Sequence, residues 1–190
     1  MRRYEEYTIE FDGLPMSRSK WDAVYETLDS IGWAVLLVML LFTFVCRPFW
    51  VSGESMEPTL QDHDWVAVTD IGFHAQRGDI VVVTQPNFRN EPLIKRIIAV
   101  EGDLVDIDPQ AHTVSVNGEI LEEPYISEPV LEGGDLSYPV RVPQGHVFVM
   151  GDNRNASLDS RSSLIGFIDT RYLAGRAALR LFPLGEWRIA

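Results

Sequence analysis

Short apolar runs separated by turn-forming residues dominate the chain from residue 51 onward. Runs of Val, Ile and Leu alternate there with Gly, Pro, Asn and Asp, which is typical of an all-β domain. Asn117-Gly118, between two of these runs, indicates a β-hairpin with a type I′ turn. The pattern predicts strands at residues 65–68, 80–84, 93–100, 104–107, 113–116, 119–121, 140–142 and 146–150.

Residues 31–46 show a different pattern, an unbroken run of uncharged and mostly large apolar side chains. As a helix this run spans about 24 Å, slightly less than the hydrocarbon core of a bilayer, and Arg47 and residues 49–51 make up the difference. The preceding segment is long and acid-rich, and no small-x-small site follows, so we interpret the run as a retained anchor rather than a cleaved signal peptide.

The predicted organisation is therefore a cytoplasmic segment at 1–29, a transmembrane anchor at 30–50 and an extracytoplasmic β domain at 51–190. The orientation follows from Arg18 and Lys20 on the N-terminal side of the anchor against Arg47 alone on the other.

Three further local predictions come from the same patterns. A short helix is expected near residues 20–28, and a second helix at residues 170–180. Asp103, Asp106 and Asp108 alternate with apolar residues, which places all three on a solvent-facing side of a strand.

Composition narrows the classes of function. The net charge of -12 argues against a nucleic-acid partner, because phosphate binding needs clustered Lys and Arg. The single cysteine, Cys46, excludes an internal disulfide framework and a multi-cysteine metal site. We expect neither a metal nor another cofactor.

Lysine is rare among the basic residues, and only Lys95 lies beyond the apolar run. Lysine can lose its proton when it is buried, whereas arginine cannot, so a lone lysine in an apolar strand indicates chemistry that needs a neutral amine. The ordinary lysine pKa is about 10.4, and neutrality near pH 7 requires about 4 kcal/mol of desolvation. The alternative is an ordinary lysine on an exposed strand face.

A candidate nucleophile directly follows the anchor, in Gly53-Glu54-Ser55-Met56-Glu57-Pro58-Thr59-Leu60. A serine hydroxyl is a poor nucleophile without a base. The candidate bases are Lys95 and four histidines, His63, His74, His112 and His146, none of which lies in a motif with an acidic partner.

The third block of interest is Gly151-Asp152-Asn153-Arg154-Asn155-Ala156-Ser157-Leu158-Asp159-Ser160-Arg161. By itself it reads as a polar loop after a strand, with Asp159 and Arg161 as a surface pair.

Together with Gly78-Asp79-Ile80 and Lys95-Arg96, these blocks resemble bacterial type I signal peptidases, which are membrane-bound Ser-Lys endopeptidases with a mostly β, antiparallel catalytic domain after an N-terminal transmembrane helix. The small size and single anchor are similar to the compact Gram-positive forms. The resemblance covers nearly the whole chain from the anchor to the end.

The resemblance implies a role for each motif residue. Ser55 is the nucleophile, Lys95 the general base, and Ser157 forms a hydrogen bond that orients the lysine amine. Asp152 pairs with Arg96, and Asp159 pairs with Arg161, as structural ion pairs whose loss disturbs geometry more than chemistry.

The resemblance also implies how the oxyanion is bound. Some family members carry a serine two residues before the nucleophile, where this chain has Gly53. Its oxyanion hole then uses the Ser55 N–H and a second donor from the Gly53 region, either backbone or water, and such a donor is worth about 3 kcal/mol.

The implied substrates are signal peptides of secreted pre-proteins, cut after small-x-small sites such as Ala-x-Ala. Met56, Leu60, Leu93 and Ile94 match positions that line the shallow pockets for the small side chains. The lipid bilayer is the other expected partner, and the extended substrate is expected to lie beside a strand edge.

Three other interpretations compete with this one, and the residues present argue against the first two. An idle membrane-tethered β domain that binds pre-proteins would be expected to have lost Ser55 or Lys95. A self-cleaving repressor would lack the anchor and carry a DNA-binding helix pair. A pilus maturase with the same Ser-Lys chemistry differs mainly in its substrate.

Overall fold

The computed structural model describes residues 20–86 and 91–183, and these divide into two units between Leu40 and Leu41. The first unit consists of a helix, α1, at Lys20–Phe44, which continues into the first residues of the second. Its stretch Ala23–Thr43 contains 21 residues and is long and apolar enough to cross a membrane. At the helical rise that stretch measures about 31 Å, which matches a bilayer core without the residues beyond the helix.

The second unit contains two antiparallel sheets. The larger has seven strands in the order β1-β2-β11-β3-β4-β9-β10. Its strands are β1 Arg47–Trp50, β2 Trp65–Thr69, β3 Ile80–Val83, β4 Leu93–Val100, β9 His146–Met150, β10 Ile168–Asp169 and β11 Leu173–Phe182. The smaller has the order β7-β6-β5-β8, with β5 Leu104–Asp108, β6 Thr113–Val116, β7 Glu119–Ile120 and β8 Val140–Arg141.

The mostly β, antiparallel fold predicted from the apolar runs is confirmed, and the predicted strands are present with ends shifted by one residue at most. Asn117 and Gly118 have φ angles of 56° and 85°, so both central residues have the positive φ of a type I′ turn.

Buried apolar side chains cover both faces of the larger sheet. One cluster lies against the smaller sheet and includes Phe148 and Met150. A second surrounds Met56, Leu60 and Ile94, and thus supports the loop that carries Ser55. The strand β4 is buried along most of its length because it lies between β3 and β9, with apolar clusters on both sides.

The predicted anchor boundary at residue 50 differs from the structure. The helix ends at Phe44, and Arg47–Trp50 forms β1, paired with β2 from Arg47↔Val68 to Trp50↔Trp65. Pro48 is accommodated because β1 is the edge of its sheet, where a missing N–H leaves no ladder bond unmade. Residues 20–28, predicted as a separate short helix, are the first turns of α1. Residues 1–19 of the predicted cytoplasmic segment lie outside the described residues.

The helix predicted at residues 170–180 is wrong. A 3-10 turn at Thr170–Tyr172 leads into β11, which lies between β2 and β3. Its Ala, Leu and Arg content favours a helix, but pairing on both edges outweighs that propensity. Gly175 lies at a register shift with φ of 138°, where a β-carbon would overlap the Thr69 backbone.

The predicted exposure of Asp103 is also wrong, although Asp106 and Asp108 are exposed. Asp103 is 8% exposed and accepts hydrogen bonds from Arg77 Nε at 2.8 Å and Asn117 Nδ2 at 2.9 Å. Burial acts to raise the pKa of Asp103, but these hydrogen bonds and one from the Val100 N–H outweigh it and hold the pKa below its usual value.

Candidate active site

Ser55 lies on a loop that is closed at its base by main-chain hydrogen bonds. The Val51 N–H donates to the Asp64 carbonyl at 2.8 Å, and the His63 N–H donates to the Val51 carbonyl at 3.1 Å. Met56 and Leu60, 1% and 0% exposed, anchor the loop in the core, while Ser55 is half-buried. The loop therefore presents one hydroxyl from an otherwise fixed segment.

Lys95 lies within β4, opposite Val81 of β3, and its side chain is directed at that hydroxyl. Lys95 Nζ is 2.6 Å from Ser55 Oγ and donates to the Ile94 carbonyl oxygen at 3.0 Å. Lys95 is only 3% exposed. The candidate nucleophile and the candidate base are thus in direct contact, 40 residues apart in sequence.

Arg96, the next residue of β4, has a separate set of partners. Its guanidinium contacts Asp152 through two hydrogen bonds of 2.8 and 2.7 Å and donates to the Gly78 carbonyl at 2.9 Å. Asp152 is 0% exposed and also accepts from Thr59 Oγ1 at 2.5 Å. Successive strand residues point to opposite faces, which keeps the guanidinium away from the Lys95 amine.

The block 151–161 folds around a second buried ion pair and holds the Ser55 loop. Arg161 contacts Asp159 through Nε at 2.8 Å and Nη2 at 2.9 Å, and Asp159 also accepts from the Gly151 N–H at 3.0 Å. The Asn153 N–H donates to the Ser55 carbonyl at 3.1 Å. The pair is buried, not the surface pair that the block suggests by itself.

The Ser157 side chain is placed differently from the expectation. Its hydroxyl oxygen is buried and forms no hydrogen bond within the described residues, so the expected bond to Lys95 is not formed in this structure. The hydroxyl lies against Gly151, where a β-carbon would be well under 3.0 Å from Ser157 Oγ and from the Ser55 carbonyl oxygen. Because Gly151 has no side chain, the Ser157 hydroxyl and the Ser55 carbonyl oxygen can both lie close to its Cα.

The backbone donor considered for the oxyanion hole is already engaged. The Gly53 N–H donates to Asp62 Oδ1 at 2.9 Å, within the loop itself. A single N–H carries one hydrogen, so Gly53 does not offer its amide to a substrate oxygen in this arrangement.

A cleft of about 350 Å³ opens beside Ser55 and Lys95. Of the four residues predicted to bind substrate, Met56, Leu93 and Ile94 line it. Leu60 does not line it, because its side chain is fully buried in the cluster beneath the loop. The rest of the lining combines apolar residues, among them Trp50 and Leu158, with the polar residues Ser52, Glu54 and Glu91.

Sequence reasoning missed a third buried ion pair behind the site. Arg154, 0% exposed at its side chain, binds Glu123 at 2.7 and 2.6 Å. The Tyr125 ring lies 3.9 Å from the Arg96 guanidinium, and its hydroxyl donates to Glu123 at 3.0 Å. Burial raises the pKa of Tyr125 to about 12, with Glu123 acting in the same direction, so this hydroxyl keeps its proton. A weak sequence signal was Glu123-Pro124-Tyr125, two residues after the end of the predicted strand at 119–121.

Removal of the Asp152 carboxylate is expected to destabilise the domain strongly. The Asp152→Ala variant leaves Arg96 buried without its partner, which should lower the free energy of unfolding by about 3–5 kcal/mol. Urea denaturation of the full chain in detergent measures this. The matched control is Asp169→Ala: its ion pair with an Arg171 side chain that is 84% exposed adds little, and loss of its cap on the Arg171 N–H should cost about 1 kcal/mol. Equal midpoints for the two variants would contradict the prediction.

No group of three or more His, Cys, Asp or Glu side chains suited to a metal ion occurs within residues 20–86 and 91–183. The four histidines, the other candidate bases, have contacts away from Ser55. His112 contacts the Val130 carbonyl, His146 contacts the Gln144 carbonyl, and His63 lies beside Asp62. His74 lines a separate small cleft with Arg176.

Known proteins with similar sequences identify the family. The family model described as signal peptidase, peptidase S26, matches residues 24–182. The chain is 38% identical over 184 residues to signal peptidase I of Bacillus licheniformis, covering 90% of this chain and 96% of that protein. It is 36% identical over 180 residues to the probable signal peptidase I-1 of Synechocystis, covering 89% and 88%. The chain therefore belongs to the signal peptidase family, peptidase S26.

A crystal structure of a signal peptidase I from Enterococcus faecalis V583 is 31% identical, with a TM-score of 0.45, and the match covers 55% of this chain and 97% of that chain.

Proposed function

We propose that this chain is a membrane-anchored serine endopeptidase that removes N-terminal signal peptides from secreted pre-proteins, with Ser55 as nucleophile and Lys95 as general base. The observation that carries the proposal is the 2.6 Å distance between Ser55 Oγ and a Lys95 Nζ that is almost fully buried. Burial favours the neutral amine over the ammonium ion, and a neutral amine has a lone pair that accepts the serine proton.

The proposed reaction is acyl transfer. Lys95 Nζ takes the proton of the Ser55 hydroxyl while Oγ attacks the carbonyl carbon of the last signal-peptide residue. The tetrahedral intermediate collapses, the C–N bond breaks, and Lys95 returns the proton to the departing amine. Water, deprotonated by the same amine, then hydrolyses the ester and restores Ser55.

Two buried ion pairs have a structural role in this proposal and take no part in proton transfer. They are Arg96–Asp152 and Asp159–Arg161. The first holds the lysine strand to the 151–161 block, and the second fixes the block that contacts the Ser55 loop. Ser157 lies beside Gly151 and is proposed to orient the amine after a rotation of its side chain toward Lys95.

The cleft supports a preference for small side chains at the first and third positions before the cut. Met56, Leu93 and Ile94 contribute apolar walls beside the dyad and reject larger groups by contact. An extended peptide in this cleft would place one carbonyl against Ser55 Oγ.

The membrane location rests on Ala23–Thr43 and on the relatives named signal peptidase I. We propose a single span with the N-terminus in the cytoplasm and the catalytic domain outside, from the excess of basic residues before the span.

Cleavage of a purified pre-protein tests the proposal. The full chain in detergent should release a mature protein whose new N-terminus follows an Ala-x-Ala sequence. Replacement of the alanine before the cut by leucine should slow cleavage at least about 10-fold, since a pocket rejects even one extra methylene by roughly that factor. N-terminal sequencing and the ratio of cleavage rates are the measurements. Equal rates for the two substrates would contradict the assigned pocket, and no cleavage of either would contradict the function.

A further inference from the structure

Asp62 is an exposed residue of the Ser55 loop whose carboxylate continues the hydrogen bonding that closes the loop. At the base, main-chain bonds join Val51 to Asp64 and to His63. Nearer to Ser55 in the loop, a side chain takes over as acceptor: the Gly53 N–H donates to Asp62 Oδ1 at 2.9 Å. Asp62 lies on the returning arm of the loop and Gly53 on the outgoing arm, so this one bond joins both arms.

The residue held by Asp62 is the one with the greatest conformational freedom in this loop. Gly53 has φ of 86°, a region that residues with a β-carbon rarely occupy, and a β-carbon built there would have open space around it. Gly53 therefore has no side chain whose packing could hold its backbone. Glycine also loses the most entropy on ordering, and the hydrogen bond that the Gly53 N–H donates to a charged acceptor restricts its backbone.

We propose that Asp62 is a positioning residue for the nucleophile. Its carboxylate fixes the Gly53 peptide, and thereby fixes Ser55, two residues later, at hydrogen-bond distance from Lys95. The bond also commits the Gly53 amide to the loop, so the oxyanion hole in this proposal uses the Ser55 N–H and not that of Gly53. The inference rests on the proposed function, because it takes Ser55 to be the nucleophile that this bond positions.

Hydrogen–deuterium exchange tests the contact without reference to activity. The Gly53 amide of the full chain in detergent should be protected in the parent and in the Asp62→Asn variant, whose side chain keeps an acceptor oxygen. It should exchange at least about 10-fold faster in Asp62→Ala, because a hydrogen bond to a charged group is lost. Unchanged protection in Asp62→Ala would overturn the proposal, whether or not the chain proves to be a peptidase.

Steady-state cleavage of a pre-protein tests the role. In Asp62→Ala, kcat should fall about 10- to 100-fold, because Ser55 is no longer held in line with Lys95. KM should be nearly unchanged, because substrate binding is not affected. Asp62→Asn should retain kcat within about 3-fold. The control is Asp106→Ala, an exposed carboxylate of the smaller sheet, which should behave as the parent.

A double-mutant cycle with Gly53→Ala separates positioning from general stability. If Asp62 acts through Gly53, the effect of Asp62→Ala should shrink to within about 3-fold once Gly53→Ala has already displaced the peptide. Full additivity of the two losses would overturn the proposal, as would an Asp62→Ala variant with the kcat of the parent. If the parent protein has no activity, that result counts against the proposed function. The exchange experiment still tests the hydrogen bond between Gly53 and Asp62, because it needs no activity.

Discussion

The Lys95→Arg variant is expected to fold and to cleave no pre-protein. Lys95 Nζ lies 2.6 Å from Ser55 Oγ, and in the proposed reaction the neutral amine accepts the serine proton at this distance. A guanidinium keeps its proton under all conditions in a protein and cannot serve as that base. The loss of general-base catalysis should lower kcat on the order of 10⁴-fold.

The measurement is pre-protein cleavage by the full-length variant, together with its thermal unfolding. Because arginine is larger than the buried lysine, the companion variant is Lys95→Met, which is nearly isosteric and should be equally inactive while it unfolds near the parent temperature. A cleavage rate within about 100-fold of the parent in either variant would exclude Lys95 as the base.

A histidine control addresses the remaining rival base. Replacement of all four histidines should leave most of the activity, since none contacts Ser55 in its described surroundings. His63 and His112 have φ angles of 72° and 59°, so asparagine is the suitable replacement at these two positions. An inactive but folded quadruple variant would restore the Ser-His interpretation.

The Gly151→Ala variant is expected to lose about 100-fold or more in kcat, because a displacement of about 1 Å at the reacting groups has that effect. The added methyl group would overlap Ser157 Oγ and the Ser55 carbonyl oxygen, both of which are under 3.0 Å from its position. Relief requires movement of the nucleophile loop away from the 151–161 block, which lengthens the contact between Ser55 and Lys95.

A second glycine provides the matched control. At Gly133 the nearest atom to an added β-carbon is Tyr138 Cε2 at 3.4 Å, an ordinary contact, so Gly133→Ala should keep the activity of the parent. The double variant Gly151→Ala with Ser157→Gly removes one of the two overlaps and should remain impaired by the other. Parent-like kcat in Gly151→Ala would show that the loop adapts and that the close approach is not needed.

The sequence was informative where a local pattern decides the local structure. Strand β4 at Leu93–Val100 and the turn at Asn117-Gly118 follow from apolar runs and turn residues alone, because alternation and positive φ are properties of a few adjacent residues. It misled at residues 173–182, where helix-forming residues make a central strand because two neighbouring strands pair with them.

The candidate site likewise contains residues that the sequence predicted and residues that it did not. Lys95 stands out by its residue type, whereas Ser55 and the 151–161 block stand out through their resemblance to the family. The lysine amine and the serine hydroxyl lie 2.6 Å apart in the structure. Buried contacts between distant segments left little trace in the sequence. The Glu123–Arg154 pair and the burial of Leu60 depend on which surfaces face each other after folding.

By itself, the sequence predicted the class of fold and the apolar span, because periodicity is a local property, and the resemblance of its motifs to the family singled out Ser55 and Lys95. Only the tertiary structure decided that the span ends before β1, that Asp62 takes the Gly53 amide, and that Ser157 lies against Gly151. These features depend on distances of a few ångströms between segments brought together by sheet pairing, and no spacing along the chain specifies such distances.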